Sequence, residues 1–333
     1  MTPNDAQRTE QIGRAFARHR WSWIDLIPLI CAVIVYLTMK DYLPLATQVL
    51  ITIVFALSLD LALGYGGIAS LGHVAFFGVG AYAAGLYALH VSPEPISGLT
   101  VGAVAGTVAG AVTGRLILRT EGLTVIMLTL AIATLLRELA VTWRSVTGGA
   151  DGLFGYKMSP IFGLFPFDLA GHTAYWYAVG VTAFVYFICK MIVNSPFGLT
   201  VRGIRENPIR MRAVGVSVTN RLVGLYMLSG ALAAIAGALS AQVARVVGPD
   251  SLNFALSGNL LVMLILGGTG NLYGAFLGAA VFVVLSDRAA AVSPFHWLFA
   301  VGIVLILAVR YAPRGLVGLI ETAWARCKSG LQT

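Results

Sequence analysis

Charge is what this chain has least of: only 11% of its 333 residues are Asp, Glu, Lys or Arg, against about 25% in soluble domains. With 58% hydrophobic residues and a mean hydropathy of +0.85, that excludes a water-soluble fold. Cysteine is nearly absent. Cys31, Cys189 and Cys327 show no CxxC spacing, so neither a disulfide framework nor a thiolate metal site is expected. The lysines are Lys40, Lys157, Lys190 and Lys328, and none follows a glycine, which rules out a GxxxxGK[ST] phosphate loop. HExxH and GxSxG are missing too, and the histidines are scattered at 19, 73, 90, 172 and 296. The chain is therefore expected to hold no metal or cofactor and to hydrolyse no ATP itself. Its net charge of +8 comes from basic residues in the loops, where the positive-inside rule explains them without nucleic acid.

What remains is a series of apolar runs of helical length, such as Leu45 to Leu63, Leu123 to Val141, Tyr175 to Val193 and Leu222 to Val243. Each is near the roughly 20 residues that cross a bilayer. Both faces of each run are apolar, unlike the alternating strands of a membrane barrel. The fold class is thus an all-α polytopic membrane protein with about ten spans, at 24–39, 45–63, 67–90, 98–118, 122–141, 174–193, 222–246, 256–268, 271–287 and 295–311. The pair within 256–287 flanks Gly267-Gly268-Thr269-Gly270-Asn271 and alternatively forms a re-entrant hairpin. An even count places both termini on one side. With the N-terminal segment 1–23 cytoplasmic, Arg115, Arg119, the loop 194–221 and the tail 312–333 all fall inside, as the charge rule requires. The loop 142–173 then lies outside, and the transmembrane body runs from 24 to 311.

Gly98, Gly102, Gly106, Gly110 and Gly114 recur every fourth residue, drawing a bare ridge along one helix. In lipid, close approach over small residues supplies the packing energy, so another backbone is expected against it. Gly274 and Gly278 repeat the spacing, as do Ala233, Gly237 and Ala241.

The loop 194–221 carries local structure as well as charge. Asn207 followed by Pro208 reads as an N-cap and first helical position, and Gly215 as the left-handed residue past a helix end. That predicts a short helix over 208–214, with Arg210 and Arg212 on it and Arg202, Arg205 and Glu206 before it. Topology needs arginines but not a capped helix, so a soluble docking partner is expected.

Charged and polar groups at membrane depth are functional candidates by default. Asp60 precedes the turn at Gly64, Gly66 and Gly67, in a capping, interfacial or gating position. Ser70 reads as an N-cap of the next helix and His73 as a hydrogen-bonded packing residue. Asn259 is a neutral polar group able to line a path. Asp60, Ser70, His73 and Asn259 are the candidates for a translocation path or gate.

Through most of its length the chain resembles the LivH/LivM type of branched-chain amino-acid ABC transporter permeases, on the LivM side. The segments that carry the resemblance are LGYGGIASLGHVAFFGVGAY (63–82), VTWRSVTGGADGL (141–153), SPFGLTVRGIRENPIRMRAVGV (195–216), SGALAAIAGALSA (229–241) and PDSLNFALSGNLLVMLILGGTGNLYGAFLGA (249–279). The resemblance implies a bacterial inner-membrane permease surrounded by lipid and paired with a LivH-like second permease. It also implies two cytoplasmic ATPases, which carry ATP and Mg, and a periplasmic solute-binding protein. The loop holding Arg205, Glu206, Asn207 and Pro208 becomes the coupling element that meets an ATPase. Branched-chain amino acids lead as substrate, with urea, short amides and aromatic acids carried by similar permeases. The reading from another class is an ion-coupled secondary carrier, which would call for intramembrane carboxylates and paired broken helices.

Overall fold

The computed structural model describes residues 23–293 apart from 121, 162, 169 and 170, with isolated positions from 296 to 319. The segments expected at 1–23, 295–311 and 312–333 lie largely outside the described residues. After a 3-10 turn at Trp23–Leu26 come α1 (Ile27–Thr38), α2 (Leu43–Leu59), α3 (His73–His90), α4 (Pro95–Ile117), α5 (Leu123–Thr142) and α6 (His172–Asn194). Then follow α7 (Pro196–Glu206), α8 (Pro208–Ala213), α9 (Val218–Ala244), α10 (Phe254–Gly267) and α11 (Leu272–Val292). The all-helical class holds, apart from a two-residue antiparallel pairing of β1 (Leu153–Phe154) with β2 (Val246–Val247).

Among the described residues, six helical stretches are long and apolar enough to cross a membrane: Lys40–Tyr65, Pro95–Ile117, Leu123–Thr142, His172–Asn194, Val218–Ala244 and Leu272–Val292. The expected count of ten is met only in part. At 1.5 Å per residue, α1 and α10 extend about 18 and 21 Å, short of a hydrocarbon core of roughly 30 Å. The span expected from residue 67 begins instead at His73, because 67–72 is non-helical. Gly67 there has φ +71, a left-handed conformation that halts the chain.

The core is built around α9, whose run of Ser229, Gly230, Ala233, Ala234, Ala236, Gly237 and Ala238 is buried. The glycine ridge of α4 lies directly on it. A side-chain carbon at Gly102 would stand 2.8 Å from the Ala238 methyl, and one at Gly110 would stand 3.0 Å from the Met227 Cα. Gly98 and Gly114 face Gln242 and Tyr226 of the same helix. The ridge is thus an intramolecular seam, and the opposite face of α4, with Val104, Val108 and Val112, is exposed. α3 closes on α9 in the same way, with Gly80 over Ala234 and Gly237 over the Phe77 carbonyl. In the hairpin of α10 and α11, a Cβ at Gly278 would meet the Gly267 nitrogen at 2.9 Å, and one at Gly274 the Gly267 carbonyl carbon at 3.2 Å.

Loops that the charge rule assigns to one side meet at one end of the bundle. At one end Arg205 of α7, Gly64 beyond α2 and Gly270 between α10 and α11 converge. At the other, Tyr156 Oη donates to Ala241 O (2.8 Å), Arg245 Nη2 to Phe167 O (3.2 Å) and Gln242 Nε2 to Pro95 O (2.7 Å).

Candidate functional site

The segment between α6 and α9 is more ordered than a loop. α7 begins where Ser195 caps it, its Oγ accepting from the Gly198 N–H (3.2 Å), with Pro196 in the first turn. Gly198, Val201 and Ile204 turn inward at three-residue spacing, while Arg205 and Glu206 keep exposed surface. Asn207 then ends α7 and caps α8, its Oδ1 accepting from the Arg210 N–H at 2.9 Å. Gly215 closes α8 at φ +86, with the Val216 N–H donating to Met211 O (3.0 Å), the bonding expected of a left-handed helix stop. Met211 folds back over Gly203, so α7 and α8 pack as one unit. On its free side α8 exposes Ile209 (76%) and Val214 (75%) beside Arg210 and Arg212.

That unit is fastened to the membrane body through arginine. Past α2 the helix widens into a π turn at Asp60–Tyr65, a distortion that concentrates at functional positions. Arg205 Nη1 donates to the Gly64 carbonyl of this turn. Its aliphatic stem lies over Gly67, where a Cβ would stand 3.0 Å from Arg205 Cγ. Gly270 completes the cradle, since a Cβ there would stand 3.2 Å from Gly64 O and 3.4 Å from Arg205 Nη1. Asp60 sits behind, fully buried, with Oδ1 accepting from the Gly270 N–H at 2.7 Å. One turn earlier on α7, the Arg202 guanidinium stacks over the Tyr65 ring at 4.8 Å. Burial lowers the pKa of Arg202 from its usual value, opposed by the neighbouring Tyr65.

Deeper in the bundle, Ser229 Oγ donates to Ser58 O (2.6 Å). Its one proton is thereby committed, so His73 Nε2 must be the donor in the 2.6 Å contact with that oxygen. His73 is thus a buried residue held by a hydrogen bond from its ring in this arrangement. Ser70 is not the cap of α3. That position is Gly72, and Ser70 Oγ instead accepts from the Gly72 N–H (3.2 Å) and lies 3.4 Å from Tyr226 Oη. Asn259 is half-buried on α10. Among the described residues no group of His, Cys, Asp and Glu is placed to hold a metal ion.

The family model described as branched-chain amino acid transport system / permease component matches residues 42–309. The chain belongs to that family. This permease is 25% identical over 321 residues to the high-affinity branched-chain amino acid transport system permease protein LivM of Salmonella typhimurium, covering 89% of this chain and 74% of that one. It is 26% identical to the Escherichia coli protein of the same name, over 85% and 71% of the two chains. The ribose import permease protein RbsC of Bacillus subtilis is 29% identical over 65% of this chain and 67% of its own. No solved structure gives a significant match. The permease is accordingly a multi-pass, non-enzymatic transport subunit of a kind that works with ATPases and a binding protein in ABC importers.

Sequence reasoning missed a second polar cluster at the α7 end of the permease. Asp25, before α1, forms an ion pair with Lys190 of α6, the two side chains only 6% and 5% exposed. The other carboxylate oxygen accepts from Tyr186 Oη and Tyr273 Oη, both at 2.6 Å. One carboxylate thus joins the start of α1, the end of α6 and the start of α11, immediately before α7 begins. A lysine alone in the apolar run of α6 was the signal, since intramembrane charges seek a partner.

Proposed function

We propose that this chain forms one half of the membrane channel of a bacterial inner-membrane importer for branched-chain amino acids. A LivH-like second permease is its neighbour in the lipid, two cytoplasmic ATPases bind ATP and Mg, and a periplasmic protein delivers the solute. The observation that carries the reading is the α7–α8 unit. It is capped at both ends, offers Ile209 and Val214 between arginines to a soluble partner, and is anchored through Arg205 to the membrane body. A rigid element of this kind transmits force, whereas a basic loop serving topology alone needs no such structure. The end bearing α7 is assigned to the cytoplasm, in keeping with its arginines. Asp60 and His73, enclosed among packed helices, suit a gate that changes shape better than a surface that solute touches. The choice of solute class rests on the LivM relatives, and the similarity to the ribose permease supplies the competitor to test.

The deciding experiment reconstitutes the complete importer in vesicles. Uptake of labelled leucine that needs ATP and the binding protein supports the assignment, and ribose uptake instead would overturn the substrate. Uptake by this chain alone under a proton or sodium gradient would overturn the importer reading in favour of a secondary carrier.

A further inference from the structure

We propose that Asp60 and Arg205 form a two-position latch. Arg205 rests on the Gly64 carbonyl in the state described above and moves onto the free oxygen of the Asp60 carboxylate when α7 is displaced. This rests on the reading of α7–α8 as the element that receives the ATPase stroke, and it names the group inside the membrane body that answers it.

The carboxylate is half satisfied. Asp60 is fully buried, its Oδ1 is bound by the Gly270 N–H, and its Oδ2 has no hydrogen-bond partner among the described residues. A buried carboxylate oxygen without a partner is costly, and a cation stands close by. Arg205 has its guanidinium on the carbonyl of Gly64, four residues along the same helix from Asp60. Gly64 and Gly270 each lie against both groups. A side chain at Gly64 would collide with Asp60 Oδ1 and come within 2.5 Å of the Gly270 nitrogen, and side chains at Gly67 and Gly270 would press on Arg205 itself. The guanidinium now holds a neutral carbonyl, and the carboxylate lies on the far side of the same two glycines. Charge-assisted hydrogen bonds to a carboxylate are about twice as strong as neutral ones, so the second position holds α7 firmly once reached. Gly270 makes the arrangement mechanical. Its N–H is held by the same carboxylate, so a change at Asp60 is felt by the turn between α10 and α11.

The test uses the complete importer in proteoliposomes and reads the ratio of binding-protein-stimulated to basal ATP hydrolysis, with solute transported per ATP. Asp60→Asn keeps a side-chain oxygen for the Gly270 N–H but removes the charge. The latch predicts at least a tenfold fall in the stimulation ratio for Asp60→Asn and for Arg205→Gln, near-normal coupling for Arg205→Lys, and a double variant no worse than either single one. Non-additivity of that kind marks two residues acting as a unit. Normal coupling in Asp60→Asn, or a double variant whose loss is the product of the single losses, overturns the latch. If Asp60→Asn does not assemble, the exposed Arg205 decides: loss in Arg205→Gln with recovery in Arg205→Lys supports it, and any other pattern overturns it. A parent complex without ATP-driven uptake would instead sink the importer reading, so the two failures are separable.

Discussion

Replacing Gly106 with Ala puts one carbon into a seam that has no room for it. The added methyl would overlap the Ala234 side chain and lie 2.5 Å from the Gly230 carbonyl oxygen and 3.2 Å from its carbon. Attractive contact between carbons begins near 3.5–4.0 Å, so α4 and α9 must part by roughly 1 Å. A gap of that size forfeits about a quarter to a half of each contact along the seam, and overpacking of this kind costs about 1–3 kcal/mol. The cost should be graded. At Gly110 the nearest atoms are Met227 Cα and Tyr226 O at 3.0 and 3.1 Å, asking for a few tenths of an ångström. At Gly114 the obstacle is a Tyr226 ring carbon at 3.1 Å, a side chain rather than the backbone met at Gly106 and Gly110. Val108, 58% exposed on the opposite face, serves as control. Thermal denaturation of the detergent-solubilised protein, followed by loss of the monodisperse peak, should rank Gly106→Ala lowest, then Gly110→Ala, then Gly114→Ala, with Val108→Ala near the parent. Gly106→Leu should fail to accumulate. A Gly106→Ala protein that melts with the parent, or a Val108→Ala protein that melts below it, would refute the seam.

Lys190→Met breaks the buried Asp25–Lys190 pair and should cost about 3–5 kcal/mol; adding Asp25→Asn should recover part of that in the same melting assay, and a single variant as stable as the parent would contradict the burial of the pair. Asn207→Ala removes the cap of α8, worth about 1 kcal/mol, and Gly215→Val forces a branched side chain into φ +86. Both should reach the membrane yet lower ATP-driven uptake, and full uptake in the pair would separate α8 from transport. A reporter active only in the cytoplasm should work when fused after Arg212 and be silent near Gly149, so equal activity at both positions would break the map.

What was legible in the sequence was whatever is local along the chain. The four-residue glycine spacing of α4, the Asn207-Pro208 start and the Gly215 stop of α8 each need only neighbouring residues to be read. α7 was missed even though Ser195-Pro196 signals a start, because Gly198 and Gly203 weaken helix propensity and its reason to be helical is tertiary, the burial of Val201 and Ile204. The π turn left no sequence signal, and Ser70 misled because a serine before a helix is not always its cap. The junction itself was out of reach. Asp60, Gly64, Arg205 and Gly270 had been singled out separately, but the bonds joining them cross 141 and 210 residues, and no spacing rule spans such separations.

The glycine seam also has an electrical consequence. An importer must pass solute without short-circuiting the ion gradients across its membrane, and any file of water between helices is a route for protons. Where α4 meets α9 the backbones touch, and the void beside them, lined by Gly72, Ala109, Thr129 and Tyr226, is about 10 Å³, room for about one water. A single isolated water conducts nothing. A seam this close should act as insulation, so that any widening of it, including the one that Gly106→Ala would cause, should appear as proton leak in vesicles before it appears as loss of fold.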